Sequence, residues 1–210
     1  MIIIGIISYF AYIRSDMMAI LTGDIVNSAA VDTAKWMPVL KRYLSTMGKS
    51  PKNWEIFRGD SFQFACDPKE AFQKFLLLKS IVRQQPELDV RVSIGIGEMD
   101  FRAARISESN GTAFVRSGRA FDQMQEKQYL IITTGDEEKD RTFNLLCKFA
   151  SLIMDNWSTV SAETVQVILE NPKWNQQQIA DKLKVNQSAV SQNRKRAQFD
   201  LLMEFDEYFR

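Results

Sequence analysis

Two short apolar runs on either side of a Gly-Asp pair form a distinctive local pattern in the chain. Apolar residues alternate with polar ones through 54–57 and again through 61–64, and Gly59 and Asp60 lie between the two runs. Alternation of this kind is typical of strands that bury one face, and a Gly-Asp pair suits a two-residue turn with positive φ. The sequence therefore predicts a β-hairpin that carries Asp60 at its tip.

Three more segments predict strands. They are residues 19–25, 90–98 and 129–133. The first is apolar until it reaches Gly23 and Asp24, and the second alternates strictly between apolar and other residues, which is typical of a half-buried strand. With the hairpin, these segments predict five strands.

Helical spacing of apolar residues separates the strands. The predicted helices are 31–47, 68–82 and 112–125. Gly48 ends the first helix, and Asp67 can cap the second, whose first residue is Pro68. The order strand, helix, hairpin, helix, strand, helix, strand predicts an α+β fold with a ferredoxin-like core, in which helices cover one face of an antiparallel sheet.

The C-terminal part of the chain changes character. We expect a connecting helix over 137–157 to join an α+β domain, 17–136, to a small all-α domain, 158–210. The charged residues at 136–140 are interpreted as a solvated helix start. In the all-α domain, helical spacing over 159–169 is interrupted by Pro172.

Two short helices follow Pro172 and are joined by a tight turn. The first, 176–183, can be capped by Asn175, and the second spans 187–197. Helices joined this tightly cross steeply, so the crossing point needs a small side chain, which Ala180 supplies. The pattern is typical of a helix-turn-helix.

The same pattern predicts which residues of this unit are buried. The expected core residues are Ile179, Leu183, Val185 and Val190. Lys184 occupies the turn position where glycine is usual, and a left-handed backbone there would cost about 1 kcal/mol.

The outer face of the second helix is a candidate DNA-binding surface. Five basic and no acidic residues lie between Lys182 and Arg196. Amide and hydroxyl side chains read base edges, whereas basic side chains contact phosphates. Base readout is expected from Gln187, Ser188, Ser191 and Gln192, and phosphate contact from Arg194, Lys195 and Arg196. The alternative interpretation is the solvated surface of a plain three-helix domain.

Composition narrows the chemistry that the chain can perform. There is no histidine, which excludes Ser-His-Asp and Cys-His catalysis and histidine-ligated zinc. Cys66 and Cys147 lie in apolar contexts without metal-ligand spacing, so we expect core residues in a reducing cytoplasm. The formal net charge is +1, so any affinity for nucleic acid must come from a local basic patch.

The first residues form an apolar extension, 1–16. Its apolar run is too short to span a bilayer and lacks the basic start of a signal peptide, so no membrane association is expected. It is interpreted either as an extra strand or tail, or as the result of a misassigned start codon, with Met17 or Met18 as the true start. The second interpretation is favoured.

Asp24 and Asp60 form a candidate metal site. If the first strand lies beside the hairpin, both carboxylates reach neighbouring strand ends, where hard oxygen ligands suit a divalent cation such as Mg²⁺ or Mn²⁺. Two alternatives stay open. The acids could cap turns, or Arg58 could form a salt bridge with Asp60.

Several ordered motifs resemble the SatD family of bacterial proteins. They are residues 22–28, 57–63, 90–97, 109–114 and 117–119. The resemblance extends from Met17 onward and includes the helix-turn-helix.

A more distant resemblance connects the same motifs to class III nucleotidyl cyclase domains, which share the palm-like fold. The resemblance implies that Asp24, the carbonyl of Ile25 and Asp60 hold metal. It also implies a nucleoside triphosphate site in which Arg119 approaches the phosphates. Asn27, Ser28 and Arg58 are further candidate nucleotide-binding residues. Val115 stands where such cyclases carry an asparagine, and Val26-Asn27-Ser28 replaces their usual Gly-Phe-Thr.

The sequence favours a cytoplasmic DNA-binding, transcriptional regulator-like protein. Its N-terminal domain would bind a nucleotide or metal or mediate dimerisation, and a homodimer is expected because single helix-turn-helix units bind weakly. The alternative is a metal-dependent nucleotidyl cyclase or related phosphoryl-transfer enzyme that uses Asp24 and Asp60. A third hypothesis is an interaction protein that binds neither DNA nor nucleotide.

Overall fold

The computed structural model describes residues 17–210, and the apolar extension lies outside them. Five strands form one sheet: β1 Met17–Val26, β2 Trp54–Phe57, β3 Ser61–Cys66, β4 Asp89–Glu98 and β5 Leu130–Thr133. The α-helices are α1 Thr33–Ser45, α2 Ala71–Val82, α3 Thr112–Asp122, α4 Glu137–Met154, α5 Thr159–Glu170, α6 Gln176–Leu183, α7 Gln187–Arg196 and α8 Phe199–Phe209. The fold is therefore α+β, as the order of sequence patterns predicted.

The sheet is mixed and open, with the strand order β2-β3-β1-β4-β5. Neighbouring strands are antiparallel except for β4 and β5, which are parallel. The prediction of a wholly antiparallel sheet was wrong at this one pair. Because α3 carries the chain back along the sheet between β4 and β5, the fifth strand enters in the same direction as the fourth.

Helices cover both faces of the sheet. On one face, Leu21 and Ile25 of β1 join the main core with residues of α1 and α2. On the other face, Ile20 packs against Ala113 and Phe114 of α3. The expectation that helices would cover one face was therefore wrong.

Two glycines of β4 allow α3 to lie directly on the sheet. A Cβ atom at Gly95 would stand 2.3 Å from the carbonyl oxygen of Ala113, and one at Gly97 would stand 2.4 Å from Oγ1 of Thr112. Any side chain at either position would collide with the helix, so the absence of Cβ atoms creates the α3 contact face.

The hairpin connection is longer than the sequence suggested. Phe57 pairs with Ser61, which leaves three residues in the loop rather than a two-residue turn. The positive φ angles fall on Arg58, at 53°, and Gly59, at 89°, and Asp60 precedes β3 directly. Asp60 is thereby held close to the first residues of a paired strand.

Side-chain caps define the short C-terminal helices. Asn175 and Gln178 form a capping box at the start of α6, and the side chain of Asn186 accepts a hydrogen bond from the backbone of Ala189 in α7. Lys184 adopts the left-handed conformation at φ 56°, as its turn position suggested. Val185, predicted to be buried, is 39% exposed because it lies in this turn rather than on a helix face.

The last helix returns to the sheet layer. The ring of Phe205 lies 4.4 Å from that of Phe72 in α2, and Phe209 packs against Phe143 of α4. The indole of Trp157 donates a hydrogen bond to the carbonyl of Ala197. One continuous apolar core thus extends from the sheet to α8.

A buried charge cluster connects α2, β4 and the end of α4. Lys79 is completely buried and contacts Asp89 at 2.6 Å and Asp155 at 3.0 Å. Arg83 adds hydrogen bonds to the backbone carbonyls of Asp155 and Trp157. Because an unpaired charge in this position would be costly, the cluster fixes the end of α4 against the sheet layer.

Both cysteines are core residues, as predicted. Burial raises the pKa of the Cys66 thiol to about 12 and raises the pKa of the Cys147 thiol as well. Neither is therefore a thiolate near neutral pH. Within residues 17–210, no helix has the length and apolar character needed to cross a membrane.

Candidate functional sites

Asp24 and Asp60 lie at the same end of the sheet. Asp24 is directly opposite Ser61 of β3 and Arg91 of β4. The backbone N–H of Ile25 donates a hydrogen bond of 3.3 Å to the carbonyl of Asp60. The fold therefore places the hairpin tip beside the end of β1, which is the arrangement on which the metal-site hypothesis depends.

A guanidinium group already neutralises Asp24. Arg91 donates two hydrogen bonds to its carboxylate, one of 3.0 Å from Nε and one of 2.6 Å from a terminal nitrogen. The hydrogen bond to Asp24 raises the pKa of Arg91 above its ordinary value, and the charge of Asp60 contributes to the shift. The ring of Phe121 in α3 lies 5.1 Å from the same guanidinium. Arg91 is thus fixed from both sides.

Asp60 has a different partner. Its carboxylate accepts a hydrogen bond of 2.5 Å from the hydroxyl of Ser28, which lies in the 3₁₀ turn after β1. No ion pair joins it to Arg58 in the described part of the chain. The alternative in which Arg58 forms a salt bridge with Asp60 is therefore wrong. Arg58 lies in the hairpin loop with a left-handed backbone, and the carboxylate of Asp60 bonds to Ser28 instead.

The other residues assigned to a nucleotide site are scattered. Asn27 has a left-handed backbone, and its side-chain amide donates to the carbonyl of Glu87. Arg119 is exposed on α3, and its side chain makes no hydrogen bond or ion pair within residues 17–210. The structure thus brings Ser28 to the acid pair and leaves Arg58 and Arg119 without a contact to either carboxylate.

Sequence reasoning missed Arg91, which is the closest basic group to the acid pair. Its signal lay in the strand pattern: Arg91 and Ser93 alternate with buried Val90 and Val92, so they face α3. Only the register of β1 against β4 shows that this face also carries Asp24. Without that register, the sequence could not pair the two residues.

A row of polar side chains crosses the same face of the sheet. Gln63 donates to the hydroxyl of Thr22 at 3.0 Å, and Ser117 of α3 donates to the same hydroxyl at 2.7 Å. Ser93 donates to the carbonyl of Ser117 at 2.6 Å. These bonds satisfy buried polar groups and hold α3 at a fixed height over the sheet.

The chemical capacity of the acid pair is limited. Two carboxylates and a backbone carbonyl are suitable ligands for Mg²⁺ or Mn²⁺. Within residues 17–210, however, no three acidic or cysteine side chains cluster in a way that could hold a metal. A cation at Asp24 must also compete with Arg91 for the carboxylate oxygens.

The α6–α7 unit presents a polar helix face to solvent. Gln187, Ser188 and Gln192 of α7 are exposed, and Ser191 is half-buried beside them. The opposite face of α7 carries Val190, which is fully buried. At 3.6 residues per turn, the four polar residues lie along one side of the helix.

The basic residues at the end of α7 differ in whether their side chains already form an ion pair. Arg194 binds Asp200 of α8 through two hydrogen bonds of 2.9 and 2.5 Å and lies over the ring of Phe199. Lys195 and Arg196 are exposed and form no ion pair within the described chain. These two side chains are therefore the ones able to reach a phosphate without breaking an existing contact.

One family match includes both candidate sites, the acid pair and the α6–α7 unit. A scan against protein families matches residues 17–205 to the SatD family. The chain belongs to the SatD family. The match begins at the start of β1 and ends within α8, so it includes the acid pair as well as α6 and α7. A search of curated proteins found no match.

Proposed function

We propose that this SatD family protein binds DNA through α6 and α7, which act as a helix-turn-helix with α7 in the major groove. The observation that supports this most directly is the exposed polar face of α7, formed by Gln187, Ser188 and Gln192. Amide and hydroxyl groups of this kind recognise base edges, and a single helix face can present them to consecutive bases.

The local backbone supports the same proposal. The turn between α6 and α7 contains a left-handed residue, Lys184, and Ala180 is completely buried in the apolar cluster that joins α5, α6 and α7. Caps by Asn175 and Asn186 satisfy backbone donors at the starts of both helices. A recognition helix held in this way loses little conformational entropy on binding.

The charge distribution also favours a nucleic-acid partner. All five charged residues from Lys182 to Arg196 are basic, although the net charge of the chain is only +1. A local patch of this type attracts the phosphate backbone, and the remaining acidic residues keep the rest of the surface from binding indiscriminately.

The sheet region would serve as the platform that supports α6 and α7. The four strands β4-β1-β3-β2 are antiparallel, with α1 and α2 packed on one face. That arrangement supports a ferredoxin-like core of the kind that nucleotidyl cyclase domains share. We infer that its role is to position the DNA-binding helices.

A second candidate function is a metal-dependent nucleotide site at Asp24 and Asp60. It is favoured by one observation, the closeness of two strand-end acids across the β1–β3 pair. Phosphoryl transfer needs cations and positioning more than proton shuttles, which suits a chain without histidine. Arg91 opposes this function because it occupies Asp24, so we rank nucleotide binding above turnover and both below DNA binding.

The DNA proposal is tested by the salt dependence of binding. In fluorescence anisotropy titrations with a labelled mixed-sequence duplex, Lys195→Ala and Arg196→Ala should each weaken binding and lower the salt slope by about 1. Lys41→Ala, an exposed change on α1, is the matched control and should have no effect. Unchanged affinity in both C-terminal variants would refute the assignment of α7.

The nucleotide site requires a separate measurement. Isothermal titration with ATP and with GTP, each with Mg²⁺ or Mn²⁺, should show heat that disappears in Asp60→Ala. If Arg91 blocks the cation, then Arg91→Ala should strengthen binding at the acid pair. Absence of binding by the unaltered chain and by Arg91→Ala would remove this candidate and leave DNA binding as the function.

A further inference from the structure

The two helices α4 and α8 share a large exposed apolar surface. We name it the α4–α8 face. It consists of Leu145, Phe149 and Leu152 of α4 with Leu201 and Tyr208 of α8, whose exposed fractions are 55%, 57%, 65%, 51% and 64%. Single exposed apolar residues are ordinary on protein surfaces, whereas five on two adjacent helices form a patch of the kind that marks a binding site.

Helix α4 is apolar on two opposite sides. Phe143, Cys147 and Met154 are buried against the rest of the molecule. Leu145, Phe149 and Leu152 have the spacing i, i+4, i+7 and lie on the other side. Among residues 17–210, only the first stripe is buried in the core, and the second stripe stays largely exposed.

A groove separates the two helices at this surface. Its volume is about 740 Å³, and apolar side chains from both helices form most of its lining. They include Leu146, Ala150, Leu202 and Phe205 beneath the exposed residues. Such a groove can receive side chains from a helix that lies along it.

We propose that the α4–α8 face binds a second copy of the same chain and forms a symmetric homodimer. The five apolar side chains expose about 600 Å², if a whole large apolar side chain contributes about 200 Å². A stable interface buries about 800 Å² on each partner, which the groove walls and the surrounding charged residues complete. This area suits an interface between two proteins better than a small-molecule site.

Charge complementarity determines how the copies meet. Arg141 and Lys148 are exposed on α4, and Glu204 and Glu207 are exposed on α8. None of the four forms an ion pair within residues 17–210. A two-fold axis along the helices places α4 against α8 of the second copy, and basic residues then meet acidic ones.

The heights of these residues along the helices also match. Phe143 packs against Tyr208 and Phe209, with ring centres 6.0 and 5.3 Å apart. At the other end, Trp157, just after α4, bonds to Ala197, just before α8, so the two helices run in opposite directions. Lys148, five residues after Phe143, is then level with Glu204, four residues before Tyr208. We expect Lys148 of each copy to form an ion pair with Glu204 of the other copy, which gives two equivalent ion pairs.

The mass of the full chain in solution tests this proposal. Sedimentation equilibrium should give about twice the mass of the 24.2 kDa chain, and Phe149→Glu should convert the dimer to a monomer. Val160→Glu is the matched control, since Val160 is 52% exposed on α5, outside the face, and its substitution should leave the dimer intact. A monomeric unaltered chain would overturn the proposal and leave the face to a different protein.

A charge exchange tests the geometry independently of folding defects. Lys148→Glu and Glu204→Lys should each weaken the dimer by about tenfold, because each places like charges opposite each other in both symmetric contacts. The double variant should recover most of the loss. If the double variant is as weak as the single variants, the proposed pairing is wrong. If Phe149→Glu retains its helical circular dichroism and still dimerises, the face itself is wrong.

This interface deepens the proposed function but does not depend on it. A dimer would place two copies of α7 at a fixed separation, as two DNA half-sites require. Because mass is measured without DNA, loss of the dimer tests the interface, whereas loss of DNA binding by an intact dimer tests the helix-turn-helix.

Discussion

Gly95 determines whether α3 can lie on the sheet. A Cβ there would stand 2.3 Å from both the carbonyl oxygen of Ala113 and the backbone nitrogen of Ser117. Gly95→Ala should lower the free energy of unfolding by about 3 kcal/mol, because backbone atoms rather than flexible side chains must move. Chemical denaturation followed by circular dichroism measures this change.

Gly118, which lies in α3 itself, provides the control. A Cβ at this position meets nothing within 4 Å, and the residue is in the interior of α3. Gly118→Ala should therefore raise the free energy of unfolding by about 0.5–1 kcal/mol through helix propensity. Equal effects of the two substitutions would contradict the close packing of α3 on β4.

Individual residues also show the limit of sequence reasoning. The alternation over 54–64 was sufficient to predict the hairpin, and apolar contexts were sufficient to place Cys66 and Cys147 in the core. The pairing of Asp24 with Arg91 was not predictable, because it depends on the register between strands that are about 70 positions apart in sequence.

At the scale of elements, the turn between α6 and α7 contains measurable strain. Lys184 adopts φ 56° and ψ 42°, a conformation that costs a residue with a Cβ about 1 kcal/mol. Lys184→Gly should stabilise the protein by up to that amount in thermal unfolding. Lys182→Gly, two residues earlier and within α6, should instead destabilise it by about 1 kcal/mol.

Opposite signs for these two neighbours would distinguish turn strain from loss of positive charge, since both substitutions remove one lysine. If both variants are destabilised equally, the left-handed turn is not the source of the difference. The same variants report on function, because a DNA-binding role for the basic patch predicts weaker binding in both.

Elements with a long, regular pattern were predicted well, and others were not. The strand at 89–98 and the helices at 33–45 and 71–82 follow the predicted segments within a few residues. Helix α8 was missed, although Phe199, Leu202, Phe205 and Phe209 have helical spacing. The parallel entry of β5 depends on how α3 crosses the sheet, which local patterns do not specify.

At the scale of the whole molecule, Lys79 connects the sheet layer to the C-terminal helices. Its ammonium group is completely buried between Asp89 and Asp155. Lys79→Met should reduce the free energy of unfolding by about 3–5 kcal/mol, because it leaves Asp155 without its cation and Asp89 with only the more distant Arg83, at 3.8 Å. Denaturant titration measures the loss.

The decisive comparison is with a variant in which Lys79, Asp89 and Asp155 are all replaced by uncharged residues. The triple variant Lys79→Met, Asp89→Asn, Asp155→Asn also removes both carboxylate charges and should recover at least half of the lost stability. Lys35→Met, on the exposed side of α1, should change stability little. A triple variant less stable than Lys79→Met would show that the acids are not destabilised by losing Lys79.

Selection by the full chain from a random pool of duplexes should enrich one sequence, in two half-sites about 10 base pairs or a multiple apart. Gln187→Ala with Gln192→Ala should abolish the enrichment, and Gln123→Ala, an exposed change after α3, should preserve it. If no sequence is enriched by the unaltered chain, or if the Gln187, Gln192 variant enriches the same sequence equally well, α7 is not a DNA-reading helix.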